Sequence, residues 1–406
     1  MTSPLDILKP LRRNIDSIIG EEELLAQLAS GKSLRIKYGV DCTAPDLHLG
    51  HAVNLWMMRH LQEHGHRVVF LLGDTTTQIG DPTGKSETRP VLTRDEIDKN
   101  AQAFIDQASL ILLTEPDVFE VRRNSEWFDA MLVTELLSLF SMTTAAQLLS
   151  RDMFRERIAA GREIALHELT YPVLQGYDSF AMQSDLTIVG SDQLFNEMMG
   201  RHYQQRLGAT PQTLITTRIT PGLDGGPKQS KSLGNYVALL DDPAEKFGKL
   251  MSLPDALVEE WASAYTDLAE EEIGRLAAGV MMRGARARDA KLGLAEAIVR
   301  RYHDSETALR SRQAFISTFS EGKEPDQMPV ITIQTSSVLP LDLVRLARPE
   351  LSNNALRRLL VQRAVRIEGN VILEDSRVAL EGGAVLRIGP RAWWRIEVAG
   401  EGRSEN

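Results

Sequence analysis

Two short clusters in this 406-residue chain carry groups that could handle phosphate chemistry. The first is His48-Leu49-Gly50-His51, and the second, about 180 residues later, is Lys228-Gln229-Ser230-Lys231-Ser232. Imidazole and ammonium groups together can donate to the oxygens of a nucleoside triphosphate and stabilise negative charge that grows as a phosphate bond breaks. Gly50 has no side chain, so a sugar or base could approach the backbone there. A helix starting near Ala52 would point its positive end at a phosphate. The lysine cluster follows Gly222-Leu223-Asp224-Gly225-Gly226-Pro227, a glycine-rich lead suited to a loop that closes on a leaving group. Either cluster alone would be a pair of surface histidines or a solvated lysine loop; their order and spacing together carry the reading.

The flanking patterns supply the elements. Leu34 to Val40 reads as a strand, Ala52 to His64 as a helix, and Arg67 to Leu72 as a continuous apolar strand ending at Gly73-Asp74. Strand, helix and strand in about forty residues predict a crossover unit, with ligands outside the carboxyl ends of the strands. Asp41 and Asp74 fall there. Residues 5–31 carry helical periodicity, residues 95–182 are mostly helical by pattern, and Leu186 to Val189 is a strand leading into Gly190-Ser191-Asp192-Gln193. Residues 242–320 have helical spacing, and the polar stretch 321–329 reads as a linker. Beyond it, eight arginines stand against four acids between Ala355 and Arg395, a local charge of +4 in a chain of net charge −10. There Ser352 caps an expected helix reaching Gln362, followed by short strands at 365–367, 371–373 and 384–388.

Several classes are excluded. Gly80-Asp81-Pro82-Thr83-Gly84-Lys85-Ser86 imitates a phosphate loop, but it has three residues between its glycines where the ATPase pattern needs four. A single cysteine, Cys42, leaves no disulfide framework and no cysteine metal site, and no metal held by protein side chains is expected. Neither a secretory leader nor an apolar run of the ~20 residues needed for a membrane span is visible. The acidic net charge argues against a wholesale nucleic-acid coat protein while leaving room for a local basic patch. A soluble, cytoplasmic protein of two or three domains is expected.

The run Tyr38 to His51, the turn Gly80 to Ser86, Tyr171-Pro172-Val173-Leu174-Gln175-Gly176-Tyr177-Asp178 and Gly190-Ser191-Asp192-Gln193 resemble bacterial tyrosyl-tRNA synthetases, a family of class I aminoacyl-tRNA synthetases. Pro45-Asp46, Glu87 to Pro90 and Arg288 to Lys291 resemble its second bacterial subtype. The resemblance implies an α/β fold: a Rossmann-like parallel-sheet nucleotide-binding domain over residues 1–235, an all-helical domain over 236–322, a linker at 323–335, and a small α+β RNA-binding module of the alpha-L type over 336–406.

It also implies roles. His48, His51, Lys228, Lys231 and Ser232 match groups that activate ATP, with Lys85 and Arg89 as mobile cations that close on pyrophosphate. Gly50, Asp41, Gly190 and Asp192 match the ATP side. Gly39, Thr76, Asp81, Tyr171, Gln175, Asp178 and Gln193 match the tyrosine side, Asp178 as acceptor for the phenolic hydroxyl. Arg357, Arg358, Arg363 and Arg366 match the RNA-binding face. ATP with Mg2+, tyrosine, tRNA(Tyr) and a second copy in a homodimer are the implied cofactors and partners. The chain departs from the family pattern at Lys37, where many members carry a phenol-contacting Tyr, and at Cys42, Thr77, Gln78, Thr187 and Val189. A copy of the enzyme that acts on a modified or different aromatic amino acid, or resists tyrosine mimics, is therefore the alternative.

Overall fold

The computed structural model describes residues 2–43, 46–81, 92–230, 233–320, 328–349, 351–373, 377–389 and 392–399. The chain divides into two compact units, 1–304 and 305–406. In the first, six strands alternate with helices: α1 (Pro4–Leu8), β1 (Ile15–Ile19), α2 (Glu21–Ala29), β2 (Arg35–Val40), α3 (Leu49–Gln62), β3 (Arg67–Leu72), α4 (Asp74–Ile79), α5 (Arg94–Ala108) and β4 (Phe119–Arg123). The order continues with α6 (Ser125–Phe128), α7 (Val133–Ser141), α8 (Ala145–Leu149), α9 (Asp152–Ala159), α10 (Leu166–Ala181), β5 (Leu186–Gly190), α11 (Leu194–Arg206) and β6 (Thr213–Thr217). Four further helices complete the unit: α12 (Pro243–Met251), α13 (Val258–Tyr265), α14 (Glu270–Met281) and α15 (Gly284–Tyr302).

The sheet order is β1-β6-β5-β2-β3-β4, parallel except for β1 against β6. β3 is buried from Val68 through Leu72, as a strand covered on both faces must be. One detail of register makes the site. β2 stays paired with β3 from Arg35 to Val40, but with β5 only at Ile36 and Lys37. Beyond Lys37 the carboxyl ends of β2 and β5 part, opening a cleft at the place where the strand order reverses. Gly39, in the central strand, is exposed there.

Three segments differ from the expectation. The helical spacing of residues 5–31 is interrupted by β1, whose isoleucines satisfy either period; antiparallel pairing with β6 and a left-handed Gly20 settle it as a strand. β4 lies inside the stretch expected as helical. Its half-exposed Phe-Glu-Val-Arg-Arg sequence gives little apolar signal, because it is a sheet edge. The four helices after residue 235 do not form a separate compact unit. Trp56 Nε1 on α3 donates to Tyr302 Oη on α15 at 3.2 Å, and the Arg301 guanidinium stacks on Trp56 at 4.4 Å.

The second unit, described by itself, begins with α16 (Ser305–Ser320). It continues with β7 (Val330–Ile333), β8 (Ser337–Val338), α17 (Pro340–Ala347), α18 (Asn353–Val361), β9 (Val365–Ile367), β10 (Asn370–Val371), β11 (Val378–Ala379), β12 (Val385–Ile388) and β13 (Ala392–Val398). Five strands run in the order β10-β9-β12-β13-β7, and β9, β12, β13 and β7 share one apolar core with α17 and α18, built on residues such as Leu343, Leu356, Leu386 and Ile396. Ser352 caps α18 through Ala355 N–H. β7 lies within the stretch 323–335 expected as a linker. Its alternation buries Ile331 and Ile333, so the module's sheet takes in residues ahead of 336.

Gln62 shows what secures the α/β half. Its buried amide donates to Leu113 O and Val118 O, both at 2.9 Å, and accepts from Leu113 N at 2.9 Å, which ties the loop before β4 to α3. Gln62→Leu keeps the volume and takes the partner from Leu113 N–H and Leu113 O, while Val118 O keeps the Val68 N–H at 2.8 Å. It should lower unfolding free energy by about 2–4 kcal/mol in denaturant titration, on the scale of buried unsatisfied polar groups; a change within 0.5 kcal/mol, roughly the effect of an ordinary surface substitution, would show that the stitch does not matter.

Candidate active site

The first cluster is joined through backbone to the segment just after the second. Leu49 N donates to Val237 O at 3.0 Å and Leu239 N to Leu47 O at 2.9 Å, so residues 47–49 and 237–239 lie side by side antiparallel around a bridge between His48 and Ala238. His48 is the N-cap of α3, and its Nδ1 accepts Gly50 N–H at 3.1 Å. His51 Nδ1 accepts His48 N–H at 3.3 Å. With Nδ1 used as an acceptor, each neutral ring carries its proton on Nε2 and so is a donor from that edge. The rings lie 4.0 Å apart. A Cβ on Gly50 would stand 3.0 Å from the His48 ring and 3.8 Å from Gln229 Nε2, so this glycine keeps the first cluster close against the second.

Asn235 organises the lysine loop. Its side chain accepts Ser230 N–H at 2.8 Å and donates to Asp224 Oδ1 at 2.8 Å and Lys228 O at 3.2 Å. Gln229 is buried and donates to Tyr265 Oη at 2.6 Å, with Thr220 bonded to the same hydroxyl. Lys228 Nζ reaches across to Asp192 Oδ2, 3.5 Å away beyond the end of β5. Buried Lys246 on α12 supports the arrangement from behind: Nζ donates to Leu239 O at 3.0 Å and meets His303 Nε2 at 3.1 Å. Burial pushes this ammonium down to about 8, with Asp241 and Asp242 opposing.

The cleft between β2 and β5 is lined from α10. Tyr171, Gln175 and Asp178 are spaced at four and three residues and share one face of the helix. α10 comes this close to α11 because position 176 is glycine; a Cβ there would stand 3.0 Å from the Met199 backbone and 2.8 Å from the Tyr203 ring. Tyr171 Oη donates to Asp41 Oδ2 at 3.0 Å, and Thr76 Oγ1 donates to Asp41 Oδ1 at 3.1 Å. Burial first, then the charges of Asp41 and Asp81, hold the Tyr171 phenol well above its usual range. Gln193 Nε2 donates to Asp81 Oδ2 at 2.9 Å. Gln175 Nε2 donates to Glu197 Oε1 at 2.9 Å. Deepest is Asp178, 2 % exposed, which accepts Trp127 Nε1–H at 2.9 Å. Desolvation pushes its carboxyl up to about 8, against the pull of Lys37 and of donors on Trp127 and Asn124.

The structure therefore gathers His48, Gly50 and His51 with the lysine loop, Lys228 with Asp192, and Asp81 with Gln193. Asp41, expected on the ATP side, is tied to Tyr171 and Thr76 on the other. Gly190 precedes Asp192 closely; a Cβ on it would meet Asp192 Oδ1 at 2.8 Å. Lys85, Arg89, Lys231 and Ser232 lie outside the described residues. Among the unusual positions, Thr187 Oγ1 donates to Lys37 O at 3.0 Å, Thr77 Oγ1 accepts Cys42 N–H at 2.8 Å, and Gln78 Nε2 donates to Asp74 O at 3.4 Å. Among the described residues no group of three or more His, Cys, Asp or Glu side chains is gathered as for a metal ion. Asn124, Trp127, Glu197, Asn235 and Lys246 were missed by sequence reasoning. They sit in elements with no local signature, and only the tertiary fold brings them in.

Comparison with known proteins agrees with this geometry. The family model for class I tRNA synthetases of the W and Y group matches residues 29–320. The chain belongs to that family. A tyrosine–tRNA ligase of Thermotoga maritima is 42% identical to this synthetase over 397 residues, covering 97% of this chain and 98% of the relative. One from Moorella thermoacetica is 42% identical over 394 residues, 96% and 95% of the two chains. Among solved structures, the C-terminally truncated mitochondrial tyrosyl-tRNA synthetase of Aspergillus nidulans shares the fold at TM-score 0.63 and 22% identity, covering 79% of this chain and 95% of that one. The Archaeoglobus fulgidus tyrosyl-tRNA synthetase complexed with L-tyrosine superposes at TM-score 0.58 and 22% identity, over 77% and 100%.

Asn235→Ala in this synthetase should lower the rate of ATP-dependent amino-acid activation by about 10-fold or more, since loop order serves the transition state, and leave amino-acid affinity within about twofold. Single-turnover kinetics with equilibrium binding checks both. A full rate would remove Asn235 from the account.

Proposed function

We infer that this synthetase activates tyrosine with ATP and transfers it to the 3′ end of tRNA(Tyr). The observation that carries the reading is near-full-length identity of 42% to a tyrosine–tRNA ligase, joined to a cleft with a carboxylate at its closed end. In the first step the tyrosine carboxylate attacks the α-phosphorus of ATP. The new bond joins a carboxylate oxygen to phosphorus, and the bond to the bridging oxygen of pyrophosphate breaks. The Nε2–H groups of His48 and His51 and the ammonium of Lys228 are proposed to stabilise charge on the phosphates, and the same role is proposed for Lys231, with Lys85 and Arg89 for the leaving pyrophosphate. A magnesium ion accompanying ATP would be held mainly by phosphate oxygens and water and would supply neutralising charge at the phosphates. In the second step the terminal ribose hydroxyl of tRNA attacks the acyl carbon and AMP leaves.

On the amino-acid side, Asp41, Asp81, Tyr171, Gln175 and Gln193 supply acceptors and orienting dipoles suited to an ammonium and a carboxylate. Asp178 accepts the phenolic hydroxyl. Phenylalanine would leave a buried acceptor unpaired, at a cost of roughly 1–3 kcal/mol. The alternative amino-acid substrate has no observation behind it, since the hydroxyls of Thr77 and Thr187 are engaged with backbone.

Arg357 and Arg358 on α18, Arg363 in the turn that follows and Arg366 on β9 of the second unit are exposed. Arg366 lies directly opposite Arg387 across β9 and β12, a like-charge pair that an RNA phosphate would relieve. A homodimer is supported by apolar side chains exposed along the connection from β4 to α10, among them Leu132, Val133, Leu137 and Leu166. No helix of the described residues is long and apolar enough to cross a membrane, which fits a place of action in the cytoplasm.

Amino-acid-dependent ATP–pyrophosphate exchange over the twenty amino acids tests the reading. Tyrosine should exceed phenylalanine by about 5-fold at the least, the scale of one unsatisfied buried group. Faster exchange with any other amino acid would contradict it.

A further inference from the structure

Lys37 occupies an unusual place for an ammonium group. It lies on the central strand β2, 2 % exposed, at the last residue where β2 and β5 are paired and hence at the closed base of the cleft. Its Nζ donates to Glu197 Oε2 at 2.8 Å and to Ser179 Oγ at 2.8 Å. Glu197, equally buried, accepts also from Gln212 Nε2 at 3.0 Å on one oxygen and from Gln175 Nε2 at 2.9 Å on the other. Both members of the pair thus have further hydrogen-bond partners, as a buried ion pair needs to persist. A buried pair seldom improves stability over apolar residues of the same volume, so its position invites a functional reason. Ser179, which holds the ammonium, is next in the chain to Asp178. Gln175, which is held by the carboxylate, lies one helical turn from Asp178 on the same face of α10.

We propose that Lys37 is a specificity-determining positioning residue: held by Glu197 and Ser179, its ammonium keeps the neighbouring Asp178 carboxylate in the form that accepts a hydrogen bond from the substrate's phenol. The proposal rests on the tyrosine reading above. Asp178 feels the charges of Lys37 on β2 and Glu197 on α11, accepts from the neutral donors Trp127 on α6 and Asn124 just before it, and acts by its own charge on Tyr171 of the same helix. Arg122 stacks on the Trp127 ring at 5.6 Å. Of the two buried charges, Lys37 pulls the Asp178 carboxyl down and Glu197 pushes it up. A phenol that donates to the carboxylate binds the ionised form best. Tyrosine specificity should therefore rise with pH and level off above the Asp178 transition, which burial places at about 8.

Opposite charges give the test opposite signs. The pH profile of kcat/KM for tyrosine and for phenylalanine is measured by pyrophosphate exchange in the full chain and in K37M and E197Q. K37M should move the tyrosine inflection to higher pH by about one unit or more, the effect of losing a close opposite charge, and lower the tyrosine-to-phenylalanine ratio at pH 7.5 by about 10-fold. E197Q should move the inflection to lower pH and raise the ratio at pH 7.5. A merely structural pair would lower activity in both variants without shifting the inflection, and that result overturns the proposal, as does a shift of both in one direction. Where K37M leaves Glu197 too costly to bury and does not fold, E197Q alone decides, since an unmoved inflection there refutes the role. Wild-type exchange that does not prefer tyrosine sinks the tyrosine reading instead, and is seen before any variant is made.

Discussion

The arrangement depends on one short backbone contact, the two hydrogen bonds that lay residues 237–239 against 47–49. Neither cluster could act alone. The first is fixed by the start of α3, where Nδ1 atoms cap backbone amides and present Nε2 as donors. The second hangs on a loop that leaves β6 and returns through this bridge before the α12–α15 helices begin. Lys246 secures the return by holding Leu239 O, and Tyr265 on α13 holds Gln229. The helical region thus sets the geometry of the phosphate chemistry, which explains why it shares a compact unit with the sheet.

A second constraint lies at the base of the cleft. β2 and β5 separate after Lys37 and Thr187, and the space opened is walled by α10, drawn close by Gly176. Polar groups in that wall are costly unless satisfied. The structure satisfies them in networks: Asp41 with Tyr171 and Thr76, Gln175 and Gln212 with Glu197, Glu197 with Lys37. What remains strained is Asp178, a carboxyl held upward in pKa by burial and steadied by Trp127. A site with one energetically expensive acceptor at its closed end discriminates by hydroxyl more than by size.

Much of this was legible in residue order. β2, α3, β3 and β5 followed from apolar runs, and the capped helix α18 from Ser352 and its spacing. Family resemblance singled out Tyr171, Gln175 and Asp178, and their i, i+4, i+7 spacing places them on one helical face. β1 was read as helix because isoleucines at 15, 18 and 19 fit a period of 3.6; only the partner β6, about two hundred residues away in sequence, makes it a strand. Edge strand β4 carries too few apolar residues to announce itself. Asn235 and Lys246 look like any loop amide and helix lysine, and their roles come from long-range hydrogen bonds that no local pattern encodes. Lys37 was visible as an oddity, but its partner Glu197 was not.

The central claim is that the histidine and lysine clusters act on one developing charge. A double-mutant cycle in single-turnover adenylate formation tests it directly, comparing His51→Ala, Lys228→Ala and the double variant. If both groups serve the same transition state, the double variant departs from the product of the single losses by an interaction free energy above about 0.5 kcal/mol. Strict multiplication of the two losses would mean that the clusters act independently and would contradict the account.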